Sequence, residues 1–244
     1  MHPVEVLRAE HAPAAGYPAG VLPVPEPIPG LAFFPGGSGL YHAAPGRPLP
    51  PFPVGGVMVL GHDFHSEEGY RASLARGHER YTQPTWRNLF ALLGEAEVDL
   101  GACFFTNVYM GLRAGVQTTG PFPGAKDPEF VAHCRRFLAR QLAAQRPALV
   151  LTLGTEAPRV LAPLSPELAR WADGRGFDHL DAVGPVRERA TFPAVPGLVA
   201  AVVALTHPCL RHLSVGRRRY AGARGAAAEL HMVRAGLAAA APAA

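Results

Sequence analysis

Apolar positions along the chain fall into two alternating patterns between residues 54 and 237. Val57 to Leu60 is an unbroken apolar run set between Gly55-Gly56 and Gly61. A run of that length suits a strand buried on both faces of a parallel sheet. Leu100 to Tyr109, Leu149 to Leu153 and Val199 to Leu205 predict three further strands. Between them the period lengthens. Trp86, Leu89, Phe90 and Leu93 recur at spacings of three and four, predicting a helix over Pro84 to Leu93. Asp127-Pro128 opens a second helix with proline at its first position, and Phe130, Val131, Cys134, Phe137, Leu138 and Leu142 keep one apolar face until Pro147 ends it. A short helix follows the third strand over Glu156 to Leu161. The span Pro163 to Pro196 has no clear period and reads as loop, with room for a helix at Pro166 to Trp171. Strands joined by helical crossovers predict an α/β fold, a three-layer α/β/α sandwich on a central four-stranded parallel sheet.

The flanks break both patterns. Residues 1–53 are dense in proline, glycine and alanine and end in Pro48-Leu-Pro-Pro-Phe-Pro53, which predicts an extended arm without helix or central strand. Residues 238–244 read as a frayed, disordered tail, leaving residues 54–237 as one domain.

Composition adds a modest bias. The net charge of +4 is carried almost wholly by arginine, with Lys126 the only lysine. Arginine pairs with phosphate through two parallel N–H groups, so a nucleic-acid partner fits, although a GC-rich coding sequence gives the same Ala-, Arg-, Gly- and Pro-rich composition. The cysteines Cys103, Cys134 and Cys209 form no CxxC pair and are odd in number, so a reducing, cytoplasmic setting without a disulfide framework is expected. Neither a signal peptide nor an apolar run long enough to span a membrane is read in the chain.

Each of three strand ends presents one polar group: Asp63 after Val57-Met-Val-Leu-Gly-His, Asn107 in Cys103-Phe-Phe-Thr-Asn-Val108, and His207 after Val202-Val-Ala-Leu-Thr. Open α/β sheets bind ligands at that edge. Asp63 also suits a helix cap or turn, and His207 a loop histidine with its own partners. Asn107 is harder to assign to structure alone, because a buried amide must satisfy several hydrogen bonds.

The order and surroundings of these segments resemble the uracil-DNA glycosylase superfamily. Gly61-His-Asp-Phe-His65, Thr106-Asn-Val108 and His207-Pro-Cys-Leu-Arg211 are similar to its Gly-Gln-Asp-Pro-Tyr-His, strand-ending Asn and His-Pro-Ser segments. Cys134 to Leu142 and Arg146 to Gly154 resemble the helix and third strand of its iron-sulfur branch. The resemblance implies excision of uracil or a related deaminated base from DNA. Asp63 would then activate water, His207 stabilise the leaving anion, and Asn107 read the base edge, with Gly61, His62, Phe64, His65 and Tyr81 lining the substrate site. Tyr81 is the expected stacking partner, Trp86 and Phe90 being read as core. Leu210 or Leu213 would wedge the DNA, while Arg211, Arg217, Arg218 and Arg219 grip phosphates.

Three departures from the family pattern stand out. Phe64 replaces a proline, so Phe64 or His65 takes the place of the thymine-excluding tyrosine, and Cys209 replaces a serine. Gly111 stands where an iron-sulfur protein has a cysteine, and three thiolates do not complete a four-ligand cluster. No cofactor or metal is therefore expected, Cys134 being a buried helix residue in a monomeric protein whose partner is single- or double-stranded DNA. The alternatives are a non-catalytic module that binds uracil, a nucleotide or nucleic acid on the same fold, and a nucleotide or nucleoside hydrolase. No GxGxxG or Walker loop follows the first strand.

Overall fold

The computed structural model describes residues 1–241. In chain order the elements are α1 (Pro3–Glu10), β1 (Val21–Leu22), β2 (Val57–Gly61), α2 (Glu67–Arg76), α3 (Pro84–Glu95), β3 (Cys103–Asn107), β4 (Leu112–Arg113), α4 (Pro128–Gln145), β5 (Leu149–Leu153), α5 (Glu156–Leu161), α6 (Gly176–Val183), β6 (Val186–Thr191), β7 (Val199–Leu205), α7 (Arg211–Ser214), β8 (Arg219–Tyr220), β9 (Ala223–Arg224) and α8 (Gly225–Ala240). The four strands read from the sequence form a parallel sheet in the order β3-β2-β5-β7, and β6 extends it to five by pairing antiparallel with β7.

Strand alternation divides the core into two layers. Met58, Leu60, Phe104, Val150, Val202 and Ala204 face one side, where Phe137, Leu138 and Leu142 of α4 and Val160 of α5 cover them. Val57, Val59, Phe105, Leu151, Val203 and Leu205 face the other, under Trp86, Leu89 and Leu93 of α3 and Met232 and Val233 of α8. The result is the expected α/β/α sandwich.

Three expectations change. β6 lay hidden in the span read as loop because Val-Arg-Glu-Arg-Ala-Thr has no apolar alternation, only Ala190 being buried. Charged residues are what a sheet edge carries to discourage further pairing. Helix α1 forms inside the arm: Pro3 falls in the first turn, where its missing N–H costs nothing, His2 and Glu5 make a capping box, and Val4 and Leu7 are buried. At the far end α8 runs to Ala240, so residues 238–240 are helical and not frayed, while 242–244 lie outside the described residues.

The arm is part of the fold and not an appendage. Phe34 N–H donates to the Phe105 carbonyl at 2.9 Å, and Phe105 N–H donates to Gly39 at 2.9 Å, so the arm covers the free edge of β3. Phe34 is fully buried against Phe104 and Phe137. No helix among the described residues is long and apolar enough to cross a membrane.

Candidate functional site

The carboxyl ends of β2, β3, β5 and β7 open onto one cavity of about 540 Å³, lined among others by Gly61, Asp63, Asn107, Leu153 and His207. Parallel register places them there. Gly61 pairs with Asn107 across β2 and β3, while Asp63 and His207 each lie two residues beyond a strand end. The three polar groups named from the sequence therefore share one pocket.

Asn107 is buried, and its amide is oriented by the arm. Its Nδ2 donates to the Phe34 carbonyl at 3.4 Å. Its Oδ1 rests over Gly61, where an added Cβ would collide with it. Glycine at this position is required by the close approach of the amide. Turning the amide over would set Oδ1 against the Phe34 carbonyl, two acceptors facing each other.

Asp63 is held by two neighbours. Arg113 bonds it in a two-pronged pair, Nε to Oδ2 and Nη2 to Oδ1 at 3.3 Å, and His62 Nδ1 lies 3.0 Å from Oδ1. Burial alone would push the carboxyl up, but hydrogen bonds from His62 and Arg113 outweigh it and hold its pKa below the usual value. The remaining Arg113 N–H groups donate to the carbonyls of Thr119, Gly120 and Pro121 at 3.2, 2.8 and 3.0 Å. Every donor of this buried guanidinium is used.

His207 caps the turn after β7. Its Nδ1 accepts from Cys209 N–H at 3.4 Å and lies 3.0 Å from Cys209 Sγ. That network assigns the ring proton to Nε2. Burial, with His62 nearby, lowers the His207 pKa to about 4, so the imidazole is neutral at pH 7.

The other candidates divide. Phe64 lines the cavity, its ring fixed over Gly36 of the arm, where a Cβ would run into the ring edge. His65 reaches the rim but is exposed, accepting from Ser66 N–H at 2.9 Å and lying over Gly69. The wall is thus Phe64. His62 does not line the cavity: its ring packs edge-on against Tyr109 and it braces Asp63. Tyr81 is corrected as well, because its hydroxyl donates to the Leu31 carbonyl at 3.1 Å and its ring packs on Trp86 outside the cavity lining. Besides Phe64, the aromatic side chains lining the pocket are Phe33, only 8% exposed, and Trp86, with ring centroids 4.9 Å apart.

Beyond His207 the arginines have different fates. Arg218 is fully buried, bonding Asp181, Glu229 and the Ala204 carbonyl beneath Phe177. Arg211 also pairs with Glu229, which in turn accepts from Thr206 N–H at 2.6 Å. These two arginines hold the turn that carries His207 and are not free for phosphate. Arg217 and Arg219 are exposed, as are Leu210 at 40% and Leu213 at 65%. Cys134 is buried in α4, and Gly111 sits where a Cβ would meet Val21 of the arm at 2.6 Å.

Sequence reasoning missed Arg113, Phe33 and the Phe34 carbonyl. A signal existed for each: Arg113 ends the otherwise apolar Val108-Tyr-Met-Gly-Leu112, and a buried arginine needs a carboxylate. Phe33-Phe34 is an aromatic pair in an arm otherwise of small residues. Compared with protein-family models and with curated proteins, the chain matches none.

Proposed function

We propose that this protein is a DNA glycosylase-like enzyme that hydrolyses the N-glycosidic bond of uracil, or a related deaminated base, in DNA. The observation that carries the reading is the convergence of Asn107, Asp63 and a neutral His207 on one cavity. A base must leave the stack to enter such a pocket, where its Watson–Crick edge is read by hydrogen bonds. Asn107 Oδ1 accepts from uracil N3–H, and the Nδ2 hydrogen not bound to Phe34 donates to O4. Cytosine presents the opposite pattern at N3 and N4 and meets an amide that the Phe34 carbonyl keeps from turning. Phe33 supplies the ring face for stacking, and Phe64 walls the cavity against a C5 methyl.

Cleavage breaks the C1′–N1 bond, leaving its electron pair on the base. The Nε2–H of His207, directed to O2, stabilises that anion without first having to lose or gain a proton. Asp63, ionised by its partners, balances positive charge on the sugar and accepts a proton from the attacking water. A carboxylate has about four acceptor positions. Arg113 and His62 take three of them, leaving one on Oδ2 to orient water.

The same occupancy favours a second reading, in which the site binds a uracil-like base and Asp63 serves only as the partner of Arg113. Uracil-containing single- and double-stranded oligonucleotides, incubated with the protein and then treated with alkali, separate the two. Strand scission at uracil, abolished in Asp63→Asn and His207→Ala, is expected. Binding without abasic product across varied salt and pH favours the second reading.

A further inference from the structure

We propose that Arg76 and Arg80, at the end of α2 and in the turn after it, form the phosphate grip for a nucleic-acid strand whose base enters the cavity. Both line the cavity on the α2 side, beside Gln83 and Thr85. Arg76 is anchored by one bond, Nη2 to Ser73 Oγ at 3.0 Å, while its Nε is buried without an acceptor. No carboxylate among the described residues lies within ion-pair distance of either guanidinium. The buried Nε of Arg76 needs an acceptor and the guanidinium of Arg80 is exposed to a ligand, and phosphate oxygens match the fork geometry of both. By contrast, Arg113, Arg211 and Arg218 have each found carboxylates inside the protein. Among the described residues, the guanidinium groups that line the cavity and are left for a phosphate are therefore those of Arg76 and Arg80.

Glu79 also lines the cavity, its Oε1 buried without a partner. Its charge opposes an incoming phosphate, which sets the strength of the grip and supplies a control of opposite sign. The inference deepens the glycosylase reading by naming where the strand lies. It does not require that the glycosidic bond be cut.

The test is binding of a labelled single-stranded oligonucleotide with one uracil, followed by anisotropy over a series of salt concentrations, with deoxyuridine monophosphate as second probe. For the pair Arg76→Gln with Arg80→Gln the slope of log affinity against log salt should fall by about 0.7 for each phosphate no longer gripped. Affinity should fall by about tenfold or more, as for removal of hydrogen bonds to a charged group. Arg76→Lys with Arg80→Lys should keep the slope, and Glu79→Gln should tighten binding. An unchanged slope in the Gln pair, equal weakening in the Gln and Lys pairs, or no oligonucleotide binding by the wild-type protein would each overturn the grip. Deoxyuridine monophosphate binding as tightly as the oligonucleotide, with the same salt slope, would overturn its assignment to a strand. If oligonucleotide binding follows the expected pattern but alkali reveals no abasic sites, the grip stands and the glycosylase reading fails.

Discussion

Replacing Arg113 with methionine isolates what holds Asp63. The substitution keeps an unbranched apolar stem in a site only 3% exposed but removes every donor from Asp63 except His62 Nδ1. The carbonyls of Thr119, Gly120 and Pro121 lie on an exposed loop, where water can replace the guanidinium. The penalty therefore falls on the carboxylate, and stranding one partner of a buried pair costs about 3 to 5 kcal/mol. For a chain of this size that lowers the melting temperature by roughly 6 to 20 °C. The pH dependence should also weaken. With Arg113 present the folded Asp63 pKa lies below its ordinary value, so its contribution is complete at neutral pH and is lost as pH falls through the folded pKa. Without Arg113 burial is opposed by His62 alone, so that pKa rises and less stability is lost at this residue as the pH falls. Thermal and urea unfolding from neutral pH down to about pH 2 measures both effects. A variant within about 1 kcal/mol of wild type at pH 7, with unaltered pH dependence, would refute the clamp, since that is the range of ordinary exposed ion pairs.

Three further expectations follow from single contacts. Because burial lowers the His207 pKa from 6.5 to about 4, the unfolded chain takes up a proton at this residue before the folded one does. Stability should fall by roughly 3 kcal/mol as pH drops from about 6.5 to about 4, and urea unfolding of His207→Gln should show that component gone. In Gly61→Ala the new methyl meets Asn107 Oδ1, so calorimetry should show uracil binding weakened by about tenfold, and unfolding a loss of about 1 to 3 kcal/mol. Leu213→Ala removes a side chain 65% exposed, so stability should stay within about 0.5 kcal/mol while excision from duplex falls and excision from single strands holds.

The sheet was legible because β2, β5 and β7 are buried on both faces, which leaves nearly unbroken apolar runs in the sequence. β6 was not, since one face and most of its side chains meet solvent at the sheet edge. The site was legible in the same uneven way. Asn107 and His207 could be placed because strand direction and register alone bring strand ends together. What decides their chemistry came from segments distant in sequence. The Phe34 carbonyl orients Asn107 across 73 residues, and Arg113 meets Asp63 across 50. Such contacts leave no local period. The arginines after His207 misled for a related reason: sequence counts their charges, but Glu229 and Asp181, which consume two of them, are supplied by α8 and α6.

That dual use of Asp63 makes loss of activity in Asp63→Asn ambiguous by itself, since the variant also strands a buried guanidinium. The double variant Asp63→Asn with Arg113→Met removes both charges together. Each single change should cost about 3 to 5 kcal/mol, whereas replacing the whole pair with neutral groups is often close to neutral. By those figures the two single costs together exceed the cost of the double variant by about 6 to 10 kcal/mol, above the roughly 3 kcal/mol usual for residues in contact. Excision separates the roles that stability cannot. Arg113→Met keeps the carboxylate, so cutting of uracil DNA should persist at high pH with its acidic limb moved upward. The double variant, restored in stability but lacking a carboxylate, should bind uracil DNA with near wild-type affinity and cut it orders of magnitude more slowly. Equal cutting by the double variant and wild type would make Asp63 a structural partner of Arg113 and return the water to another group. Only a protein that regains its stability without regaining its chemistry locates the hydrolysis at Asp63.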